Sequence, residues 1–389
     1  MKRILLNYIY LSRKHAGGKD QVGLNLLKGF YENGFSKNML IICYDYSVEV
    51  IRALAPDIEI CQIKSKKMKS EFSRLFFQMY FNTIYLPRIV KKKEVSCLFH
   101  LSINNGLRKL PCKTVTLPHD IKQIAHRKIG RQKISTYKYL LYKIIYYLDF
   151  VHADQIIAIS ECDKNDICQY YPQFVSKVTR IYNPIMLSEY NTTILPVSFP
   201  YILAVNIQFL HKNTITLIKA YENIQNEITQ KLVLVGNIPE RVNFLVEYVK
   251  EHHLEENVIF TGLVSDQEMD YWIRNADLYV NPTLFEGFGM TAVEAIWKQT
   301  PCLVSDIAVN KEITKGLCHY YGPADDINAL STKILICLRE SLSPDKLSAA
   351  SEEMKASYNY HFISKEYINC FKRVIKENSD NDKCNYSSV

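Results

Sequence analysis

Short runs of β-branched and aliphatic residues recur along this chain with helix-period segments between them, and the series occurs twice. In the first half, residues 4–10, 39–44, 97–101, 114–117 and 155–159 read as strands. The stretch 20–33 sets Val22, Leu26, Leu27 and Phe30 at helical spacing and stops before Gly34. After Asn183-Pro184 and a polar segment reaching Pro200, the series restarts with strands at 201–205, 231–235, 258–261, 278–280 and 302–304. Ser265-Asp266-Gln267-Glu268 opens a helix there with a capping box. Strands alternating with helices imply a parallel sheet covered on both faces, and 389 residues suit two such α/β domains of nearly equal size. Ligands of doubly wound sheets bind beyond the carboxyl ends of the strands, so a cleft between two Rossmann-like domains is the expected site.

Composition narrows the class. With 48% hydrophobic and 23% charged residues the chain is globular, and only the polar stretch from about Glu377 onward reads as a loose tail. Eleven cysteines, an odd number scattered singly from Cys43 to Cys384, argue against a disulfide framework and for a reducing cytoplasm. The first residues read as a strand rather than a secretory segment. The most apolar stretch, 139–151, is interrupted by Lys143 and Asp149, so no span is expected. The net charge of +8 gathers in the first half, at Lys64, Lys66, Lys67 and Lys69, at Lys91 to Lys93, and at Arg127, Lys128, Arg131, Lys133, Lys138 and Lys143. Such clusters suit either a solvated basic face or an anionic membrane surface. Aromatic and aliphatic residues at 137–147 interleave with the third cluster, which makes peripheral membrane association the functional expectation. No nucleic-acid motif accompanies the charge, and no nucleic-acid partner is expected.

The segment richest in chemistry is Asn281-Pro-Thr-Leu-Phe-Glu286-Gly-Phe-Gly-Met290-Thr-Ala-Val-Glu294. Two carboxylates stand eight positions apart around a Gly287-Phe288-Gly289 turn, and helix formers run from Met290 to Trp297. Glycine lets the backbone approach a ligand, and the first free amides of a helix suit a diphosphate. Glu286, ahead of the turn, could accept hydrogen bonds from sugar hydroxyls. Glu294, expected two turns into the helix, could hold the vicinal diol of a ribose. Met290 and Thr291 would supply amides.

This string resembles the Glu-x7-Glu signature of the retaining GT-B glycosyltransferases of family 4, and the resemblance extends unevenly over most of the chain. It implies an N-terminal acceptor-side domain at 1–197, a nucleotide-sugar domain at 198–362 and a terminal helix, about 363–389, packed back on the first domain. Residues 153–162 and 178–184 look like the family's structural strands, with Ser160 at a strand end. Lys212, after the strand at 201–205, matches the lysine that contacts the donor diphosphate. Gly17-Gly18, after His15-Ala16, matches the double-glycine loop. His119 in Leu117-Pro118-His119-Asp120 matches a sugar or acceptor contact, whereas Gly236 and Gly262-Leu263-Val264 match backbone lining the base. Where many relatives carry glycine and arginine this chain has Asn206 and Ile207, so one cation is missing and His211 is the candidate substitute.

The resemblance implies transfer of a sugar from a UDP- or GDP-sugar to a saccharide or lipid-linked saccharide, in polysaccharide or glycolipid assembly, with retention and with neither cofactor nor metal. Glu286, His119 and Lys212 would be catalytic. A sugar-nucleotide epimerase, a phosphorylase and a non-catalytic binding subunit are the rivals on the same architecture.

Overall fold

The computed structural model describes residues 3–13, 17–65, 71–129, 132–187, 197–340 and 342–385. His15, Ala16, Lys66, Lys67, Lys69 and Arg131 lie outside the described residues. The chain divides into two compact units, Met1–Arg127 with Ser135–Met186 and Tyr358–Val389, and Lys128–Ile134 with Leu187–Ser357.

In the first unit, strands β1 (Arg3–Asn7), β2 (Met39–Tyr44), β3 (Glu59–Ile63), β4 (Val95–His100) and β5 (Lys113–Thr116) enter one sheet. The pairs β6 (Lys128–Ile129) and β7 (Gln132–Lys133) form a separate antiparallel hairpin grouped with the second unit. Strands β8 (Gln155–Ala158) and β9 (Val178–Arg180) complete the sheet, whose parallel order is β3-β2-β1-β4-β5-β8-β9. The order reverses between β1 and β4, which is where a doubly wound sheet leaves a crevice. The aliphatic strands are buried on both faces: Leu5, Leu40, Ile42 and Leu98 share one cluster, while Ile156 and Ala158 pack with Tyr146 and Phe150 of the helix Thr136–His152. Each such leucine, isoleucine or phenylalanine contributes roughly 1.5–3 kcal/mol by leaving water.

The long C-terminal helix, Tyr360–Asn385, lies in this unit against the helix Gly18–Glu32. Their approach depends on Gly29, where an added Cβ would meet Ser364 Oγ at 2.3 Å and the Tyr360 carbonyl at 2.7 Å. Asn33 Nδ2 bonds the His361 carbonyl and Ser364 Oγ, and Phe371 packs on Phe30 and Phe99. The helix runs to Asn385, past Glu377, where the polar sequence suggests a loose tail; residues 377–385 are mostly Asn, Asp and Ser, weak helix formers that extend a helix already anchored by packing.

The second unit holds β10 (Tyr201–Val205), β11 (Lys231–Val235), β12 (Val258–Gly262), β13 (Leu278–Asn281), β14 (Cys302–Ser305) and β15 (His319–Tyr321) in the parallel order β12-β11-β10-β13-β14-β15. Its reversal lies between β10 and β13, in register Ile202 to Leu278 and Leu203 to Tyr279. Both Lys212 and the Glu286 segment follow these two strands. No disulfide joins any of the described cysteines.

Candidate functional site

The second unit assembles its polar residues around the turn after β13. Gly289 adopts φ 89°, a left-handed conformation that glycine takes without a steric cost, and caps the helix Met290–Trp297. The turn is braced from beneath. Thr283 Oγ1 and the Leu284 amide both donate to the His211 carbonyl, Ser305 Oγ donates to the Thr283 carbonyl, and Asn310 Nδ2 donates to the Ser305 carbonyl. A Cβ built on Gly289 would stand 3.8 Å from Glu286 Cγ, so the Glu286 side chain folds alongside the helix start.

Glu286 is not an isolated sugar ligand in this structure. Its Oε1 is in direct contact with Lys212 Nζ, and both side chains are close to nine-tenths buried. Asn281 Nδ2 adds a hydrogen bond at 3.4 Å. Burial pushes the Glu286 carboxyl up, but the adjoining Lys212 ammonium, its hydrogen bond, His211 and Asn281 outweigh it and hold the group below the usual carboxylate range. The pair links residues 74 positions apart, a separation at which no sequence spacing could have announced it.

Glu294 has the opposite character. It is the fifth residue of the helix Met290–Trp297, one turn from the start rather than two. Desolvation raises its carboxyl; Lys298 opposes, Asp266 adds to the rise, and Lys212 opposes weakly. The Lys298 ammonium is committed elsewhere, 2.9 Å from Asp270 Oδ1. Among the described residues none hydrogen-bonds the Glu294 carboxylate. At the other side of the turn, Tyr279 Oη donates to Thr291 Oγ1 at 2.8 Å, a tie the sequence reading missed.

Around these groups, Lys212 sits in a short helical turn, Leu210–Lys212, that ends in a left-handed Asn213. Ile207 is 1% exposed in the core, where an aliphatic side chain fits. His211 lies close enough to Glu286 to favour its charge, and its ring stands 5.6 Å from Phe209. The ends of β11 and β12 meet where the Gly236 amide bonds the Gly262 carbonyl, two residues before the partly buried Val264. Gly236 has φ 146°, and a Cβ there would meet Gln208 Oε1 at 2.4 Å and the Ile207 amide nitrogen at 3.0 Å. Gly287 and Phe288 lie within the turn itself, Phe288 buried. Among the described residues, no group of three or more His, Cys, Asp or Glu side chains stands together as a metal ion would need.

In the first unit, Gly17 (φ 114°) caps the helix Gly18–Glu32, so the glycine pair opens onto helix amides after β1. Asp20 in that first turn receives the Ser12 amide at 3.2 Å. His119 follows β5 with φ 71°, a strained choice for a bulky residue. Its Nε2 hydrogen-bonds the Leu101 carbonyl at 2.8 Å, and burial, helped by Lys19, pushes its imidazole down to about 3. His119 is therefore neutral at pH 7. Ser160 caps the helix Glu161–Tyr170 by accepting from the Asp163 amide, a structural duty. Unanticipated was a buried polar ladder at the ends of β1 and β4. Asn7 bonds Asn82 and His100, Asn82 bonds the Asn104 carbonyl, and Asp149 accepts the Asn104 and Asn105 amides.

Comparison with known proteins fits this geometry. Residues 193–354 match the family model described as Glycosyl transferases group 1. The fold is GT-B. Over 97% of this chain and all of the other, sucrose-phosphate synthase from Thermosynechococcus elongatus superposes with a TM-score of 0.78 at 16% identity. HepE of Anabaena, solved in complex with UDP and glucose, gives 0.69 at 15% identity over 96% of this chain and all of its own. An uncharacterized glycosyltransferase of Methanocaldococcus jannaschii is 26% identical over 58% of this chain, and the match spans 62% of that relative's length. The O-antigen chain mannosyltransferase RfbU of Salmonella typhimurium is 22% identical over 73% of this chain and 83% of its own. Together the family match and these relatives support a GT-B glycosyltransferase. Among the described residues, no helix is long and apolar enough to cross a membrane.

Proposed function

We propose that this chain is a retaining glycosyltransferase of family 4 that moves a sugar from a UDP- or GDP-sugar to a hydroxyl of a saccharide or lipid-linked saccharide. The observation that carries the reading is Glu294, a partly buried carboxylate that accepts no hydrogen bond from the described residues, next to the helix start at Gly289 and the Lys212–Glu286 pair. A partly exposed carboxylate without a protein donor can take hydrogen bonds from a ligand. The two hydroxyls of a ribose do so. The amides of Met290 and Thr291 and the Lys212 ammonium then lie where a diphosphate gathers negative charge as it leaves. Glu286 orients the sugar hydroxyls. The acceptor oxygen bonds to the anomeric carbon, the bond from that carbon to the phosphate oxygen breaks, and the leaving diphosphate takes the acceptor proton on the same face. Neutral His119 serves as a sugar or acceptor contact, and the Gly17-Gly18 amides as a further phosphate or acceptor contact.

The relatives' names point the same way: the Anabaena structure holds UDP and glucose, and RfbU is a mannosyltransferase of O-antigen chains. Calorimetry with the nucleotide diphosphate alone, beside kinetics with the sugar donor, tests the assignment. Glu294→Ala should weaken nucleotide binding by about 1–3 kcal/mol. Glu286→Ala should leave that affinity nearly intact and lower turnover. Normal affinity and turnover in both folded variants would refute it. Turnover should also survive chelation by EDTA, and complete loss restored by manganese or magnesium would overturn the metal-free reading.

A further inference from the structure

Helix Thr136–His152 in the first unit has two apolar faces. One is buried: Tyr146 and Phe150 pack with Ile156 and Ala158 of β8, and Ile145 is covered. On the other, Tyr137, Leu140, Ile144, Tyr147 and Val151 stand 71, 52, 58, 45 and 37% exposed. Their alternating spacing of three and four residues places them on one stripe about 80° wide, given 3.6 residues per turn. A helix that is apolar on opposite sides is ordinarily covered on both. Val175, 48% exposed, follows Phe174, whose ring contacts Tyr147, and so extends the patch.

The exposed Lys and Asp/Glu charges of this helix have one sign. Lys138 and Lys143 are exposed on the same helix, and the Arg127 guanidinium lies over the Tyr139 ring at 4.4 Å. Lys177 donates to the Phe150, Val151 and Ala153 carbonyls at the helix end. Asp149, the one acid within the helix, is turned inward onto two amides. A second copy seated on the stripe would add like charge beside it, at Lys143. An anionic bilayer offers apolar depth beneath a layer of negative phosphates, and the helix is too short and too charged to cross it.

We propose that this outward face seats the first unit on an anionic lipid bilayer. The aromatic and aliphatic stripe enters the boundary between headgroups and acyl chains, while Lys138, Lys143 and Arg127 pair with lipid phosphates. The proposal stands independently of the catalytic reading.

Flotation of the full chain with vesicles of phosphatidylcholine alone, or mixed with phosphatidylglycerol, tests it. The wild type should float with the mixed vesicles and not with the neutral ones. Leu140→Glu with Ile144→Glu, and separately Lys138→Glu with Lys143→Glu, should each weaken partitioning at least about ten-fold, since each surface cation contributes near a factor of five. Thermal unfolding should be unchanged in both, because the altered side chains are exposed. Equal flotation with neutral vesicles, no flotation of the wild type, or undiminished flotation of either double variant would overturn the proposal. So would a wild-type dimer that Leu140→Glu with Ile144→Glu turns into a monomer while neither protein floats.

Discussion

Replacing Lys212 by Met should expose how the site is held before any ligand arrives. The substitution keeps the length of the side chain and removes the one ammonium touching Glu286, leaving that carboxylate recessed with only Asn281 Nδ2 at 3.4 Å. Both partners are about a tenth exposed, so the cost of breaking a buried pair, about 3–5 kcal/mol, applies rather than the near-zero value of a surface pair. The chain's two tryptophans, Trp272 and Trp297, both belong to the second unit, so urea unfolding followed by tryptophan fluorescence reads that unit. A second change, Glu286→Gln in the same chain, removes the orphaned charge and should recover most of the loss. The pH dependence has a definite sign. In the wild type the folded Glu286 pKa lies below its unfolded value, so its contribution is present above about 4.5 and falls away as pH drops through the lowered folded value. In Lys212→Met the folded pKa should instead rise, so the penalty is full above that raised value and vanishes below about 4.5. The gap between the two proteins should therefore close on acidification. A gap that stays constant from pH 8 to pH 4.5, or a double variant no more stable than Lys212→Met, would refute the buried pair.

Gly236→Ala should cost about 1–3 kcal/mol in the same fluorescence assay, because its φ of 146° and the 3.0 Å approach to the Ile207 nitrogen exclude a Cβ; a loss under about 0.5 kcal/mol would contradict this. Glu294→Gln should stabilise the ligand-free second unit at pH 7 and leave it unchanged near pH 4: a raised folded pKa means the penalty of the charge is absent below about 4.5 and complete above the folded value. Stability that is equally changed at both pH values would disprove it. Nucleotide diphosphate binding measured near that raised pKa should release protons in the wild type and not in Glu294→Gln, since hydroxyls donating to the carboxylate favour its charged form; calorimetry in buffers of differing ionisation enthalpy would detect equal release if the assignment is wrong.

The second unit was more legible in the sequence than the first site geometry. Its strands at Tyr201–Val205 and Lys231–Val235 lie between turn residues and are buried on both faces, so periodicity and boundary agree. The capping box also stands as read, with the Glu268 amide donating to Ser265 Oγ and the Ser265 amide to Glu268 Oε2. Besides the short β6–β7 hairpin, two strands of the parallel sheets escaped notice for a physical reason. Glu59–Ile63 and His319–Tyr321 are edge strands, half-buried and polar or aromatic, without the aliphatic run that marks an interior strand. β1 was drawn too long because Tyr8 and Ile9 are buried as strand residues are, although Leu11 already turns back to the Tyr8 carbonyl. The site residues of the Glu286 turn were visible because glycine placement and helix onset are local. The ion-pair partner of Glu286 was not, because Lys212 is brought to it by the adjacency of β10 and β13, which no local pattern encodes.

The two carboxylates of one turn are held in opposite electrostatic states, and sheet topology accounts for the difference. Glu286 precedes the helix and faces the end of β10, where the Leu210–Lys212 turn delivers an ammonium across the switch point. Glu294 lies one turn into the helix, and Lys298, the residue that caps that helix's end, is drawn off by Asp270 of the helix Asp266–Arg274. An acceptor already satisfied by a strong partner gains little from a new hydroxyl, and must give up that partner to bind one. An acceptor with no protein partner gives none up when a hydroxyl binds it. In the proposed transfer, Glu294 serves chiefly ground-state binding. In the same proposal Glu286 acts only when Lys212 is drawn toward another anion, and a departing diphosphate is most negative in the transition state.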